Sequence, residues 1–265
     1  MSTKGRRHMP HAKPQVKPHA KPLSRTLVVD GATGVTHTLG SGPDTFVLIH
    51  GIGMSSRYFE PLARELSTAG TVHSIDLPGF GKAPQPSRPL SMEDYAGWVW
   101  GCLDLLNVSQ PILVGHSMGC QVTVEMLRQR ASVPAAVLMG PCVNRHERTA
   151  WRQGLRLLQD TFREPMAANV VVLSDYAFRC RPPWYLATLP FMLGYALEEA
   201  IAEVHTPVLI MRGARDSIAP RAWLDELVAR CPVAEAAEIA GEGHILMYRR
   251  PAEVAAHVRS LRDPA

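Results

Sequence analysis

The sequence predicts an α/β protein: a mostly parallel sheet flanked by helices, with an inserted helical cap. Three observations carry this expectation. Short apolar runs alternate with segments of helical spacing from about residue 46 onward, as a parallel sheet covered on both faces requires. That alternation breaks between about Cys142 and Val204 and then resumes, which reads as an insertion. The pentapeptide Gly115-His116-Ser117-Met118-Gly119 joins the apolar run Pro111–Val114 directly to the helix-like segment Cys120–Gln129. A strand that turns sharply into a helix holds the central side chain exposed, and glycines on either side permit the close backbone approach.

Along the chain, residues 1–24 are rich in Pro, Lys and His and repeat His-Ala-Lys-Pro at His11 and His19. No core can form there, so a basic, Pro-rich, disordered tail is expected. Strand-like runs follow at Thr26–Val29 and Val35–Leu39, with a hairpin turn expected over Gly31–Gly34. Phe46–His50 reads as a buried strand, Tyr58–Leu66 as a helix, and Val72–Leu77 as a strand ending in Pro78-Gly79-Phe80-Gly81. Ser91 with Asp94 forms a capping-box signature for a helix through Leu106. Ala135–Met139 and Pro207–Met211 are further strands, and Pro251–Leu261 a closing helix. The expected division is therefore a tail over 1–24, an α/β core from 25–141 and 205–265, and a cap over 142–204.

Composition narrows the function. With 265 residues, 46% hydrophobic and 20% charged, the chain suits one globular α/β domain with an insertion. No apolar stretch approaches the ~20 residues of a membrane span, and the first 25 residues hold no secretory apolar core. Five cysteines (Cys102, Cys120, Cys142, Cys180, Cys231) form no C-x-x-C pair, so each reads as a small apolar filler in a reducing, cytoplasmic setting. Residues 1–25 hold seven of the 28 Lys and Arg and no acid; the remainder, with 21 bases against 24 acids, is net −3. A mildly acidic body argues against nucleic acid as a partner.

The chemistry begins at Ser117. A serine hydroxyl needs a histidine to take its proton and a carboxylate to orient that histidine. Asp216 lies in the loop just beyond the strand Pro207–Met211, where catalytic groups of open α/β sheets collect. The competing reading is a cap ahead of Pro220. His244, in Gly241-Glu242-Gly243-His244, alone among the eleven histidines follows Asp216 in a loop, since His257 falls in a helix pattern. His116 and His205 read as structural. The order Ser117, Asp216, His244 is the one expected for this elbow type. At the end of the strand Phe46–His50 stands His50-Gly51-Ile52-Gly53, and the backbone N–H groups of Ile52 and Met118 are the two expected oxyanion donors.

On these segments, with Asp76–Gly81 added, residues 26–263 resemble the α/β-hydrolase fold superfamily with a helical cap. The resemblance supports Ile52, because in that family the residue after His-Gly donates one oxyanion N–H. Carbon–carbon bond hydrolases of aromatic degradation, small carboxylesterases and perhydrolase-like enzymes are the nearest look-alikes. The chain departs from the first of these, carrying Gly53-Met54-Ser55-Ser56 in place of their Gly-Pro-Gly loop.

The expected activity is that of a serine hydrolase cleaving an ester, thioester or activated carbonyl of a small to medium apolar substrate through an acyl-enzyme on Ser117, with no metal or organic cofactor. The alternatives are cleavage of a carbon–carbon bond in a vinylogous diketone and a non-catalytic binding protein. Eight of the 17 aromatics fall in the expected cap: Trp151, Phe162, Tyr176, Phe178, Trp184, Tyr185, Phe191 and Tyr195. Over a cleft they would favour an apolar acyl group, although packing of the cap accounts for most of them. Arg179 and Arg181 could place a cation near a substrate carboxylate, but a solvated loop explains them as well.

Overall fold

The computed structural model describes residues 21–161, 174–175, 180 and 182–261, and the side chains of these except Gln153 and residues 157–161. The expected tail, together with Phe162, Tyr176, Phe178, Arg179 and Arg181, lies outside the described residues, apart from positions 21–24.

Among the described residues, eight strands form one sheet: β1 (Leu23–Val29), β2 (Ala32–Leu39), β3 (Asp44–Ile49), β4 (Gly70–Asp76), β5 (Ile112–His116), β6 (Ala136–Met139), β7 (Val208–Gly213) and β8 (Ala234–Ile239). Their spatial order is β1-β2-β4-β3-β5-β6-β7-β8, antiparallel at β1–β2 and β2–β4 and parallel from β4 to β8. The first hairpin is tighter than expected. Val29 pairs with Ala32, so the turn is Asp30-Gly31 and not Gly31–Gly34. Both turn residues have positive φ (48° and 77°), the two-residue geometry whose twist matches that of the flanking strands.

The central strands are buried on both faces, and side-chain alternation splits them between two cores. Val47, Ile49, Leu113, Leu138 and Ile210 pack on one side against α2 (Met92–Leu105), α3 (Met118–Gln129) and α7 (Arg221–Arg230). Phe46, Leu48, Val114, Met139 and Met211 pack on the other against α1 (Glu60–Leu66), α8 (Leu246–Arg249) and α9 (Pro251–Ser260). This two-sided burial is why β3, β5, β6 and β7 read as continuous apolar runs. The capping box at α2 forms as expected: Asp94 N–H donates to Ser91 Oγ, and Ser91 N–H to the Asp94 carboxylate. The expected helix Tyr58–Leu66 is instead a 3-10 turn over Ser56–Phe59 followed by α1, whose first residues include Pro61. A proline cannot donate to a preceding turn, and it suits the start of a helix.

Between β6 and β7 lie α4 (Ala150–Thr161), α5 (Pro182–Gly194) and α6 (Leu197–Ala200). Polar contacts tie this segment to the sheet domain. Gln121 Nε2 donates to Met192 O (3.0 Å), and Tyr195 donates its hydroxyl proton to Glu125 Oε2 (3.0 Å). On the far side, Ser55 Oγ donates to Asp175 Oδ2 (2.6 Å), and Arg57 pairs with Asp175 Oδ1 (3.0 Å). Trp184 and Tyr195 are buried among the core residues, whereas Trp151 and Phe191 are exposed. Among the described residues no helix is long and apolar enough to cross a membrane.

Asp76, at the end of β4, supplies an acid-sensitive element. Burial pushes its carboxyl up, but hydrogen bonds from His37 and the N–H groups of Ser56 and Lys82, with the nearby His50 ring, hold it at about 2. A folded-state value below the unfolded one contributes stability that is complete above the ordinary value of 3.8 and is lost as pH falls toward 2. The difference corresponds to about 2 kcal/mol. Urea unfolding measured from pH 5 to pH 2 is expected to show this loss, and Asp76→Asn to remove that part of the pH dependence while lowering stability at neutral pH.

Candidate functional site

The site is assembled at the carboxyl ends of β3, β5, β6, β7 and β8, from five loops held close by glycines. Ser117 sits between β5 and α3 with φ 54° and ψ −120°, a conformation costly for a residue with a Cβ. The surrounding packing enforces it. A Cβ on Gly115 would lie 2.3 Å from Gly119 O, and one on Gly119 would lie 2.1 Å from Ile49 O. Gly119→Ala is accordingly expected to lose more than about 3 kcal/mol of stability or fail to fold, because the clash is with backbone that cannot swing away; a thermal melt checks this. Ser117 N–H donates to Met139 O (3.0 Å), fixing the turn against β6.

His244 and Asp216 arrive from the other side. The structure brings them together: His244 Nδ1 is 2.9 Å from Asp216 Oδ2, with Asp216 fully enclosed and His244 6% exposed. The second carboxylate oxygen, Oδ1, accepts from the N–H groups of Ile218 (2.8 Å) and Ala219 (2.9 Å). Asp216 thus holds its own turn with one oxygen and the imidazole with the other, and the helix beyond is capped at Pro220 without a side-chain bond from Asp216. Burial pushes the Asp216 carboxyl up, but His244 and the two N–H donors outweigh it and hold the group below the usual carboxylate range, so it is ionised at neutral pH. Gly140, at the end of β6 with φ 55°, provides the space. A Cβ there would stand 2.9 Å from the His244 ring and 3.1 Å from Asp216 Oδ2.

The third wall is His50–Gly53. A Cβ on Gly51 would lie 2.9 Å from Ser117 Cβ, so this loop runs directly over the serine. Ile52 and Met118 are both buried beside it. Met118 is the first residue of α3, where backbone N–H groups have no partner within the helix and the helix dipole favours negative charge. His50 shapes the loop from within: its Nδ1–H donates to Gly51 O (2.8 Å), and its Nε2 accepts from Leu77 N–H (3.1 Å). Burial lowers its pKa, leaving it neutral, which those two bonds require.

The sequence reading did not single out two further residues. Cys142 is more than a small apolar filler: its thiol lies against the Ser117 hydroxyl, and burial pushes that thiol up to about 12, so it is a neutral wall. Val143 beside it has φ 64°, unusual for a β-branched residue. Tyr58, expected only as part of a helix, has its hydroxyl 2.8 Å from His116 Nδ1 and 3.0 Å from Gly51 N. Neither position carries a sequence signal, because each depends on which loops the sheet order brings together. His116 is buried beside the elbow as expected, with its ring 4.6 Å from that of His244. His205 is exposed, and His257 lies in α9.

A fold of this topology with a strained serine turn at the end of its central strand defines a class, and comparison places the chain in it. Residues 46–257 match the model of the alpha/beta hydrolase family, and the protein belongs to that family. Among curated relatives, (E)-2-((N-methylformamido)methylene)succinate hydrolase of Acinetobacter baylyi is 32% identical over 121 residues, which is 44% of this chain and 46% of that one. Pimeloyl-[acyl-carrier protein] methyl ester esterase of Pseudoalteromonas atlantica is 38% identical over 85 residues, 32% of this chain and 31% of that one. The matches therefore span less than half the length of either relative. Among solved structures, the meta-cleavage product hydrolase of Pseudomonas fluorescens IP01 superposes with a TM-score of 0.75 at 19% identity, over 89% of this chain and 96% of that one. At that identity the likeness concerns the fold alone.

Proposed function

We propose that this protein is a serine hydrolase that cleaves an ester, thioester or activated carbonyl of a small to medium, mainly apolar substrate. The observation that carries the reading is the convergence of a strained Ser117 turn with the bonded pair His244–Asp216 at the carboxyl ends of β5, β7 and β8. Ser117 Oγ attacks the carbonyl carbon while His244 Nε2 takes its proton. Asp216 keeps the His244 proton on Nδ1 and stabilises the imidazolium that forms. The N–H groups of Ile52 and Met118 receive the oxyanion, each contributing a factor on the order of 10²–10³. His244 then protonates the leaving group and activates water to release the acyl-enzyme. The segment 142–204 acts as a cap that shapes the acyl pocket, and no cofactor takes part.

The curated relatives support hydrolysis by name, one as an esterase and one as a hydrolase of an amide-bearing succinate. Incubation with a fluorophosphonate followed by intact-mass measurement is expected to give one adduct on Ser117; a folded protein that forms none would overturn the reading. Alkyl and thioalkyl esters of increasing acyl length, acylaminomethylene succinates and a vinylogous diketone then divide the substrate classes. Turnover of the diketone alone would favour carbon–carbon bond cleavage, consistent with the fold shared with the meta-cleavage product hydrolase.

A further inference from the structure

We propose that Tyr58 and His116 are positioning residues that lock the oxyanion-side loop to the loop of His244 through one chain of hydrogen bonds. This rests on the serine-hydrolase reading above. Gly51 N–H lies 3.0 Å from Tyr58 Oη, Tyr58 Oη lies 2.8 Å from His116 Nδ1, and His116 Nε2 lies 3.0 Å from the carbonyl oxygen of His244. The chain thus runs from the residue before Ile52 to His244 itself, and it passes through the neighbour of Ser117.

Its polarity has one assignment. The His244 carbonyl can only accept, so His116 Nε2 carries a proton. Burial, with the His244 ring adding to it, keeps His116 neutral, so Nδ1 is a lone pair. Tyr58 must then donate its hydroxyl proton to Nδ1, and its oxygen is left to accept from Gly51 N–H. Each of the three bonds thereby fixes the direction of the next, and the two loops cannot shift independently without leaving a buried polar atom unpaired.

Tyr58 fills part of the core, and its hydroxyl is what adds the positioning bonds. Tyr58 is 1% exposed and His116 2% exposed, and their rings meet edge to face at 5.2 Å, with Phe59 closing the other edge of His116. Tyr58 stands on the 3-10 turn Ser56–Phe59, outside the sheet and the long helices. An apolar residue there would fill the same volume, and what it would lack is the hydroxyl. Because a misplacement of ~1 Å at a reacting centre costs on the order of 10²-fold in rate, a device that sets the loop spacing acts on turnover more than on binding.

The test uses the full chain with Tyr58→Phe, His116→Gln, His116→Ala and the Tyr58→Phe/His116→Gln double variant, measuring phosphonylation of Ser117 by a fluorophosphonate together with kcat and KM on an ester that the native protein cleaves. Tyr58→Phe is expected to lower kcat and the phosphonylation rate about 10- to 100-fold with KM nearly unchanged. His116→Gln keeps a donor near the Nε2 position for the His244 carbonyl but offers Tyr58 no acceptor at Nδ1, and is expected to retain more activity than His116→Ala. The double variant should be little worse than the poorer single one, because both break one chain. Should Tyr58→Phe not fold, the contrast between His116→Gln and His116→Ala decides. Folded variants within about threefold of native kcat, or strictly additive losses, would overturn the positioning role while leaving the hydrolase reading standing. Failure of the native protein itself to label would instead remove the serine reading, and this inference with it.

Discussion

Ser117→Ala is expected to abolish the fluorophosphonate adduct and to lower turnover of a cleavable ester by roughly 10⁶-fold, as loss of a serine nucleophile does where base and acid act as a unit. The expectation is specific because the substitution barely disturbs the structure. Alanine keeps the Cβ, so it bears the same backbone cost at φ 54° that serine bears, and the bond from the residue 117 N–H to Met139 O is unaffected. Only the hydroxyl disappears, and with it the partner of the Cys142 thiol. A folded variant with the native melting temperature and no adduct would assign the labelling to Ser117. An adduct persisting at native rate would move the nucleophile elsewhere. A residual rate of about 10³–10⁴ over water would remain from the oxyanion donors and substrate positioning.

Asp216→Asn is expected to cost about 10⁴-fold in turnover with little change in fold. The two oxygens of Asp216 do different work, which makes the substitution informative. Oδ1 accepts from Ile218 and Ala219 N–H, so the asparagine carbonyl must take that position or leave two buried donors unpaired. Its NH₂ group is then directed at His244 Nδ1, where it can only donate. That forces the neutral ring to carry its proton on Nε2, the atom that accepts the serine proton in the proposed mechanism. The loss should therefore appear in kcat and in the phosphonylation rate, with KM and melting temperature close to native. A near-native rate would show that the imidazole is oriented by something other than the carboxylate.

Much of this architecture was legible because it is dictated locally. Strands buried on both faces must be apolar throughout, so Phe46–Ile49 and Ile112–Val114 announce themselves. The glycines at 115 and 119 are demanded by contacts of 2.3 Å and 2.1 Å within a few residues or across one strand pair. Ser91 and Asp94 cap α2 by bonds spanning three residues. Signals of this range survive in a linear string. The hairpin turn is not legible to the residue because Asp30-Gly31 and Gly31–Gly34 carry similar turn chemistry, and strand register settles the pairing of Val29 with Ala32.

By itself the sequence determined the α/β class, the elbow at Ser117 and the loops in which Asp216 and His244 lie, because strand ends and turn residues are written in short-range composition. Only the tertiary structure decided which side chains meet: that Gly140 clears the space for the His244–Asp216 pair, that the Cys142 thiol rests against Ser117, and that Tyr58 and His116 bridge the Gly51 loop and the His244 loop through bonds between residues 58 and 128 positions apart. Those contacts follow from the order β4-β3-β5-β6-β7-β8, which stacks distant loops along one edge of the sheet. Hydrogen bonds between such loops leave no periodicity in the chain, since their partners are neighbours only after the strands have paired.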